Sequence, residues 1–237
     1  MRWSEPDTIA GWQPASFLVG WLLICVAVLP PLAGLDHELL TAHMVQHLLL
    51  MTLAPPLLWL GEPLRILLQG LPRFPGSIVI SLPSYWAIRW FRRVFRRPGF
   101  CWLGAAVALV AWHIPALFML GMRSELWHGV EQASFLITGL LFWWPVVRSL
   151  NTPSSFSGWL MLLYLFFATL PCDILSGFLV FCDRVVYSVY FTSSNSFGLS
   201  ALEDQQCAGA LMWTCVTVAY LIAGALLTAR LLSPQRA

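Results

Sequence analysis

Long apolar stretches, separated by short polar links, dominate the pattern of hydrophobic and polar positions along the chain. A helix needs ~20 apolar residues to cross the hydrocarbon core of a bilayer, and lipid offers backbone amides no partners outside helices and closed barrels. The pattern therefore predicts an all-α, polytopic membrane helix bundle of about six transmembrane helices, in a single integral membrane domain. The predicted spans are residues 12–34, 40–60, 99–120, 126–147, 158–181 and 206–231.

The longest polar link, residues 61–98, separates the second and third predicted spans. It contains five prolines, and its second half, residues 78–97, is rich in Trp, Phe and Arg. This composition is typical of a re-entrant or interfacial element followed by an amphipathic helix that lies on the lipid headgroups. A seventh span within 61–98 is the alternative interpretation.

Composition supports a membrane protein. Hydrophobic residues make up 59% of the 237 positions and charged residues only 10%, whereas a soluble domain carries roughly a quarter charged residues. Most of the surface must therefore face lipid, and no basic surface outside the membrane is left to bind nucleic acid. Arg2 is followed by Glu5 and Asp7, which is unlike the positive start of a cleaved signal peptide. We therefore expect the first apolar stretch to be retained as a helix.

The distribution of arginine predicts the orientation, because Lys and Arg accumulate in cytoplasmic links. All thirteen basic residues are arginine. If the 61–98 link is cytoplasmic, both termini are cytoplasmic too, and only Arg123 and Arg184 lie outside. The arginines then on the inside are Arg2, Arg65, Arg73, Arg89, Arg92, Arg93, Arg96, Arg97, Arg148, Arg230 and Arg236.

In this predicted topology, the polar side chains that are costly to bury in lipid gather at the outer ends of the spans. All five histidines and eight of the eleven acidic residues are placed on the non-cytoplasmic side. They are Asp36, His37, Glu38, His43, His47, His113, Glu125, His128, Glu131, Asp173, Asp183, Glu203 and Asp204. Ionisable groups within membrane segments usually mark functional sites, so we expect the site at this end.

The second span carries His43-Met44-Val45-Gln46-His47. Residues four apart project from one helix face, so the two imidazoles lie side by side. Imidazole is a ligand for copper, zinc, iron and nickel, and the thioether of Met44 favours Cu(I). The alternative is a pair of interfacial histidines that only form hydrogen bonds with neighbouring helices.

Two further spans present histidines at the same depth. His113 lies two residues before Pro115, which leaves one helix carbonyl without its N–H donor. The alternative to a ligand role is therefore a simple helix kink in which His113 donates to that carbonyl. His128 is followed by Glu131 and Gln132 on the same helix face. A carboxylate there can orient a ligand histidine. Alternatively, Glu131 pairs with Arg123 at the water boundary.

The last span opens with acidic and amide residues. Gln205, Gly209 and Met212 share one face, and Gly209 allows another helix to approach closely. Asp204 has an alternative role as the N-cap of its own helix. The Phe and Trp residues at 142–144 are interpreted as part of an aromatic belt at the membrane interface.

Four blocks, in this order along residues 36–231, resemble the caa3-type CtaG family of cytochrome c oxidase assembly factors. The blocks are HMVQHLLLMTLAPPLLWLGEP (43–63), WHIP (112–115), LWHGVEQASFLITGLLFWWPV (126–146) and DQQCAGALMW (204–213). The resemblance implies a non-enzymatic protein of the bacterial plasma membrane. It further implies help in building a haem–copper oxidase, by supplying copper to the CuB site of subunit I, with a periplasmic copper chaperone as a further partner.

Carried over to this chain, the resemblance implies metal ligation by His43, His47, His113 and His128. Auxiliary residues are Glu131, Gln132, Asp204, Gln205, Met44 and Met212. The chain departs from the family in one place, because the family usually has Glu-His where this sequence has Glu131-Gln132. Sulfur atoms on the outer side could compensate for the missing imidazole; they belong to Cys172, Cys182, Met119 and Met122.

Three other classes of function remain open. A membrane haem protein needs axial histidines on facing helices, which His43 or His47 opposite His113 would supply. A metal-dependent hydrolase would need Glu131 or Asp204 as general base, but the chain carries no hydrolase motif. A scaffold that steadies an oxidase subunit would need no metal at all.

Overall fold

The computed structural model of the protein describes residues 11–62, 97–151, 158–191 and 198–233, which form helices and no strand. This confirms the predicted all-α class. Most of the 61–98 link lies outside the described residues, and with it the predicted interfacial element and the alternative seventh span. The helices are α1 (Trp12–Val28), α2 (Leu32–Leu35), α3 (Leu40–Leu48), α4 (Ala54–Leu60), α5 (Pro98–Trp112), α6 (Pro115–Arg123), α7 (Glu125–Asn151), α8 (Gly158–Phe181) and α9 (Ala201–Leu232), with a π-helical segment at Leu49–Leu53 and a 3₁₀ turn at Ser188–Phe191.

Five helical stretches among the described residues are long and apolar enough to cross a membrane, and the bent pair α5 and α6 would form a sixth. The five are Trp12–Leu35, Leu40–Leu60, Glu125–Asn151, Gly158–Phe181 and Ala201–Leu232. This agrees with about six predicted spans. The last helix begins five residues earlier than predicted, because Ser200 and Glu203 form a capping box that starts it.

The second span is interrupted just after His47 by the π-helical segment. Pro55 and Pro56 have no N–H, so neither an α-helical nor a π-helical bond can reach the carbonyl of Met51. The indole Nε1 of Trp143 donates to this carbonyl instead, at 3.2 Å. Gly139 lies against the same segment, since a Cβ there would be 2.7 Å from the Met51 oxygen. The irregular turn is therefore fixed by α7.

The third span bends by 77° between α5 and α6, which is more than the kink that Pro115 predicts from sequence. Pro115 cannot donate to the carbonyl of Ala111, and its ring disfavours helical geometry at Ile114. Ile114 is accordingly extended, with φ −67° and ψ 125°, and its N–H closes the last turn on Ala111 at 3.1 Å. The break leaves His113 at the end of α5.

The bundle buries its core around α7, which packs against α4, α5, α6 and the π-helical segment, while α8 and α9 pack against each other. Gly209 lies in that second interface, where a Cβ would be 3.0 Å from Leu179 Cβ, as its place on the α9 face predicts. Large apolar side chains such as Leu22, Ile174 and Phe178 point outward. In a protein of this composition such surfaces face lipid.

One prediction about the aromatic residues was wrong. Phe142 and Trp143 do not belong to an interfacial belt, because they are only 2% and 4% exposed. Their rings pack inside the bundle against Tyr220, and Phe142 also stacks on Tyr164. They form part of the core around which α7, α8 and α9 are arranged.

The predicted polar end of the bundle is formed by four helix ends. Asp204 at the start of α9 accepts hydrogen bonds from the first residues of α3. Glu131 near the start of α7 reaches the histidines of α3. The segment after α8 closes over this end, since Tyr187 donates to the carbonyl of His113. These contacts define the surroundings of the candidate site.

Candidate metal centre

His43, His47 and Glu131 meet inside the bundle. The two histidines are one turn apart on α3, and Glu131 points at them from α7. Glu131 Oε1 is 3.5 Å from His43 Nε2 and 3.3 Å from His47 Nε2. His43 is 0% exposed and Glu131 is 1% exposed, so water does not solvate this group. We call these three residues the inner triad.

The nitrogens of the inner triad and Glu131 Oε1 have no hydrogen-bond partner of good geometry among the described residues. Burying such groups without partners is costly, and a charged carboxylate in a membrane segment must be paired. Ligand atoms bound to one ion at about 2.0–2.1 Å in a tetrahedral set lie roughly 3.3 Å apart. The two distances from Glu131 Oε1 to the histidines therefore fit ligands that converge on a single metal ion, and all three ligand atoms lie within 4.8 Å of one another.

His113 lies next to the triad, with its ring centroid 6.1 Å from that of His47. Its Nδ1 donates to the carbonyl of Leu109 at 2.7 Å, because a carbonyl can only accept. The bond fixes the tautomer, so that Nε2 carries the free lone pair, and this buried atom has no partner among the described residues. His113 thus caps its own helix and still offers one nitrogen.

His128 is close to the triad but its ring nitrogen points elsewhere. The His128 and His43 rings stack with centroids 5.5 Å apart and planes 15° from parallel. His128 Nε2 is 3.5 Å from Asp36 Oδ2 and 3.2 Å from Gln132 Nε2. Gln132, the residue that departs from the family pattern, therefore contacts His128 rather than the inner triad.

Aromatic side chains close the triad off. Phe118 packs on His43 with centroids 5.0 Å apart, and Phe135 on His47 at 4.2 Å. Tyr187 and Tyr190 cover Phe118 from the segment after α8. Burial raises the pKa of both tyrosines above the usual range, so each keeps its proton and donates a hydrogen bond.

Asp204 and Gln205 hold the elements that carry the site. Asp204 accepts from the N–H groups of Leu40 and Thr41 at 2.6 and 3.1 Å, so it caps α3 and not its own helix, which Ser200 caps. The N-cap role expected for Asp204 within α9 was therefore wrong. Gln205 accepts from the N–H of Val186 at 2.7 Å and fixes the segment after α8.

Met44 and Met212 lie beside the triad. With His47 and His113 they line a cavity of about 40 Å³, which Met51 and Cys172 also border. Such a volume holds a water molecule or a single ion. Of the other outer-side sulfur atoms, Met122 accepts a long contact of 3.9 Å from the Tyr190 hydroxyl. Neither Cys182 nor Met119 lines this cavity.

Sequence reasoning assigned no role to two fully buried polar residues that neighbour histidines in the sequence. Asp36 and Gln46 are 0% exposed, and their side-chain polar atoms have no hydrogen-bond partner among the described residues. Gln46 lies between the two histidines in sequence, which is a usable signal. Asp36 was placed at the outer end but was not assigned to the site, since nothing in the sequence shows that it turns inward.

The alternative role of Glu131 as a surface partner of Arg123 does not hold. Glu131 is buried and contacts both histidines of the triad, whereas Arg123 is exposed at the end of α6. No ion pair joins the two in the part of the chain that the structure describes. The geometry makes Glu131 a ligand candidate in its own right, not only an orienting group.

Gly121 gives a test of the carboxylate's position that changes no ligand. A Cβ at Gly121 would lie 2.7 Å from Glu131 Oε2, which is closer than unbonded atoms approach. We expect Gly121→Ala to displace the carboxylate and to weaken the binding of a metal ion at the inner triad by about 10-fold. Gly129→Ala on α7 is the control, because a Cβ there meets open space. Equal affinities of both variants in a chelator competition would contradict the expectation.

The chain was also compared with known proteins. The family model described as cytochrome c oxidase caa3 assembly factor (Caa3_CtaG) matches residues 1–233 of the 237. No curated protein and no solved structure matches.

Proposed function

Because this chain belongs to the caa3 family of cytochrome c oxidase assembly factors, we propose that it assists oxidase assembly by holding a copper ion in transit to the CuB site. The observation that carries this proposal is the inner triad: three buried ligand atoms that converge and find no hydrogen-bond partner among the described residues. His113 lies beside this triad, with its ring centroid 6.1 Å from that of His47, and the ring of His128 stacks on that of His43.

The donor set favours copper over other ions. Cu(II) binds nitrogen and oxygen ligands more tightly than the other divalent metals of its row, and thioethers select Cu(I). The triad supplies the first kind of ligand, and the adjoining cavity supplies the sulfur atoms of Met44 and Met212. A mixed site of this kind can hold copper and still release it to the oxidase.

A carrier explains the burial better than an enzyme does. The family indicates a non-catalytic role, and the triad is enclosed by aromatic rings that leave little room for a substrate. In the hydrolase alternative, Asp204 would act as general base, but both of its oxygens already accept hydrogen bonds from α3. Glu131 in turn lies against two histidines.

The partners and location belong to the same proposal. An oxidase partner follows from the family, and we propose that it is subunit I of a haem–copper oxidase, which contains CuB. Copper would arrive from a periplasmic copper chaperone, because the arginine distribution predicts cytoplasmic termini and a site at the outer face of the bacterial plasma membrane.

A membrane haem protein is less well supported. The cavity beside His47 and His113 holds about 40 Å³, which accommodates an ion but not a macrocycle. A larger apolar groove of about 910 Å³ lies between α5 and α8, and the described residues that line it include no histidine. Axial ligation would therefore need the helices to separate.

Deletion of the gene tests the proposal. We expect the host's haem–copper oxidase to lose activity and copper while its haem is still inserted, and a plasmid copy of the gene to restore both. Metal analysis and difference spectra of the purified oxidase give the measurement. An oxidase with full copper content from the deletion strain would refute the proposal, and a Soret band in this protein itself would support the haem alternative.

A further inference from the structure

A second group of ligand atoms lies just outside the inner triad. His128 Nε2 is 3.5 Å from Asp36 Oδ2, and His37 Nε2 is 4.0 Å from Asp36 Oδ1. One ligand atom from each of the three residues lies within 4.8 Å of the others. These separations are too long for ordinary hydrogen bonds. The three side chains therefore face one another without forming hydrogen bonds to one another.

Asp36 is the strongest sign that this group binds something. The residue is 0% exposed, and neither of its carboxylate oxygens has a hydrogen-bond partner among the described residues. Its backbone carbonyl accepts from Tyr190 at 2.8 Å, so the turn that carries it is held in place. A buried carboxylate without hydrogen bonds is costly, and a bound cation removes that cost.

The two groups are connected, and their exposure falls from the surface inward. The side chain of His37 is 53% exposed and that of His128 is 13% exposed, whereas His43 in the triad is 0% exposed. The rings of His128 and His43 stack 5.5 Å apart. His128 on α7 thus lies between the accessible side chain of His37 and the buried side chain of His43.

We infer that Asp36, His37 and His128 form a second copper position, through which the ion enters before it passes to His43, His47 and Glu131. This inference rests on the proposed function and deepens it, because it gives the carrier a loading site. Two imidazoles and one carboxylate make up each position, so a copper ion that moves from the outer to the inner position exchanges one set of ligands for another of the same type. The last ligand of the outer position, His128, already lies against the first ligand of the inner one.

Gln132 supplies a further check, since its amide nitrogen lies 3.2 Å from His128 Nε2 and competes with an ion there. Gln132→His replaces this competitor with a third imidazole. We expect the variant to bind Cu(I) at the outer position about 10-fold more tightly, and the affinity of the inner position to stay unchanged.

The test is a Cu(I) titration of the full-length protein in detergent, against a chromophoric chelator and without oxygen. We expect roughly two ions per chain for the wild type and roughly one for His37→Gln, a change at an exposed position that should fold normally. Asp36→Asn should have the same effect, and Glu38→Gln is the control because it removes a neighbouring charge outside the group. His43→Gln should lose the inner ion and keep the outer one.

The outcomes separate the two proposals. A wild-type protein that binds one ion, retained in His37→Gln and lost in His43→Gln, overturns the second position and leaves the proposed function standing. Loss of a single ion in both variants shows one shared site and also overturns the inference. A wild-type protein that binds no copper refutes the copper carrier itself.

Discussion

Oxidase maturation is expected to stop when His43 or His47 is replaced with alanine, while the protein still inserts into the membrane. Each substitution removes one of three ligand atoms that converge within the inner triad. The two remaining ligands should hold copper far more weakly. Loss of a residue that only orients a ligand typically lowers metal affinity roughly 10–100-fold, and loss of a ligand should lower it at least as much. The measurement is oxidase activity and copper content in membranes that contain equal amounts of each variant.

Controls must separate ligand loss from packing loss, because both histidines are buried. Val45→Ala on the same helix removes part of a core contact but no ligand, and should leave maturation intact. His43→Gln and His47→Gln keep more of the side-chain volume than alanine does, so a failure shared by the Gln and Ala variants points to metal binding. Normal oxidase activity in either alanine variant at the wild-type protein level would eliminate the triad as a copper site.

The helices and the end of the bundle that holds the site could be predicted because both depend on local patterns. Apolar length determines a membrane span, and spacing by four places His43 beside His47 on any α-helix. The break after His113 follows from Pro115 alone. Its angle of 77° does not, since it depends on how α6 packs against α7.

The partners of the polar side chains could not be predicted, because they come from distant parts of the chain. Asp204 caps α3 across 164 positions of sequence, whereas the sequence suggests a cap for its own helix. Phe142 and Trp143 look like interfacial residues by type, yet the neighbouring helices bury them. The inward turn of Asp36 likewise depends on the position of Tyr190, which holds its carbonyl.

Glu131 shows most clearly how the structure changes the interpretation. From sequence, it is either an orienting group for His128, three residues earlier on the same helix, or a partner of Arg123. In the fold, its Oε1 faces the two histidines of α3. Residue spacing in the sequence shows only which side chains are neighbours on one helix, so it could not reveal a contact between α7 and α3.

Glu131→Gln is therefore expected to weaken Cu(I) binding by at least about 10-fold to 100-fold. That range is typical of the loss of a group that only orients a ligand, and the loss of a ligand itself should cost no less. Glutamine keeps the size and shape of the side chain but removes the negative charge that balances the ion. The protein should remain folded, since the neutral amide is cheaper to bury than an unpaired carboxylate. A chelator competition on the purified variant measures the affinity, and its thermal unfolding checks the fold.

Arg123→Gln is the matched control, because it removes the other partner that the sequence offers to Glu131. Arg123 is exposed, and losing a pair at such a surface costs at most about 1 kcal/mol, so copper affinity and oxidase maturation should both match the wild type. If Arg123→Gln impaired binding as much as Glu131→Gln does, the carboxylate would act through the arginine rather than on the ion. Unchanged affinity in Glu131→Gln would leave the two histidines of α3 to hold copper without a carboxylate, with the free Nε2 of His113 as a further candidate ligand.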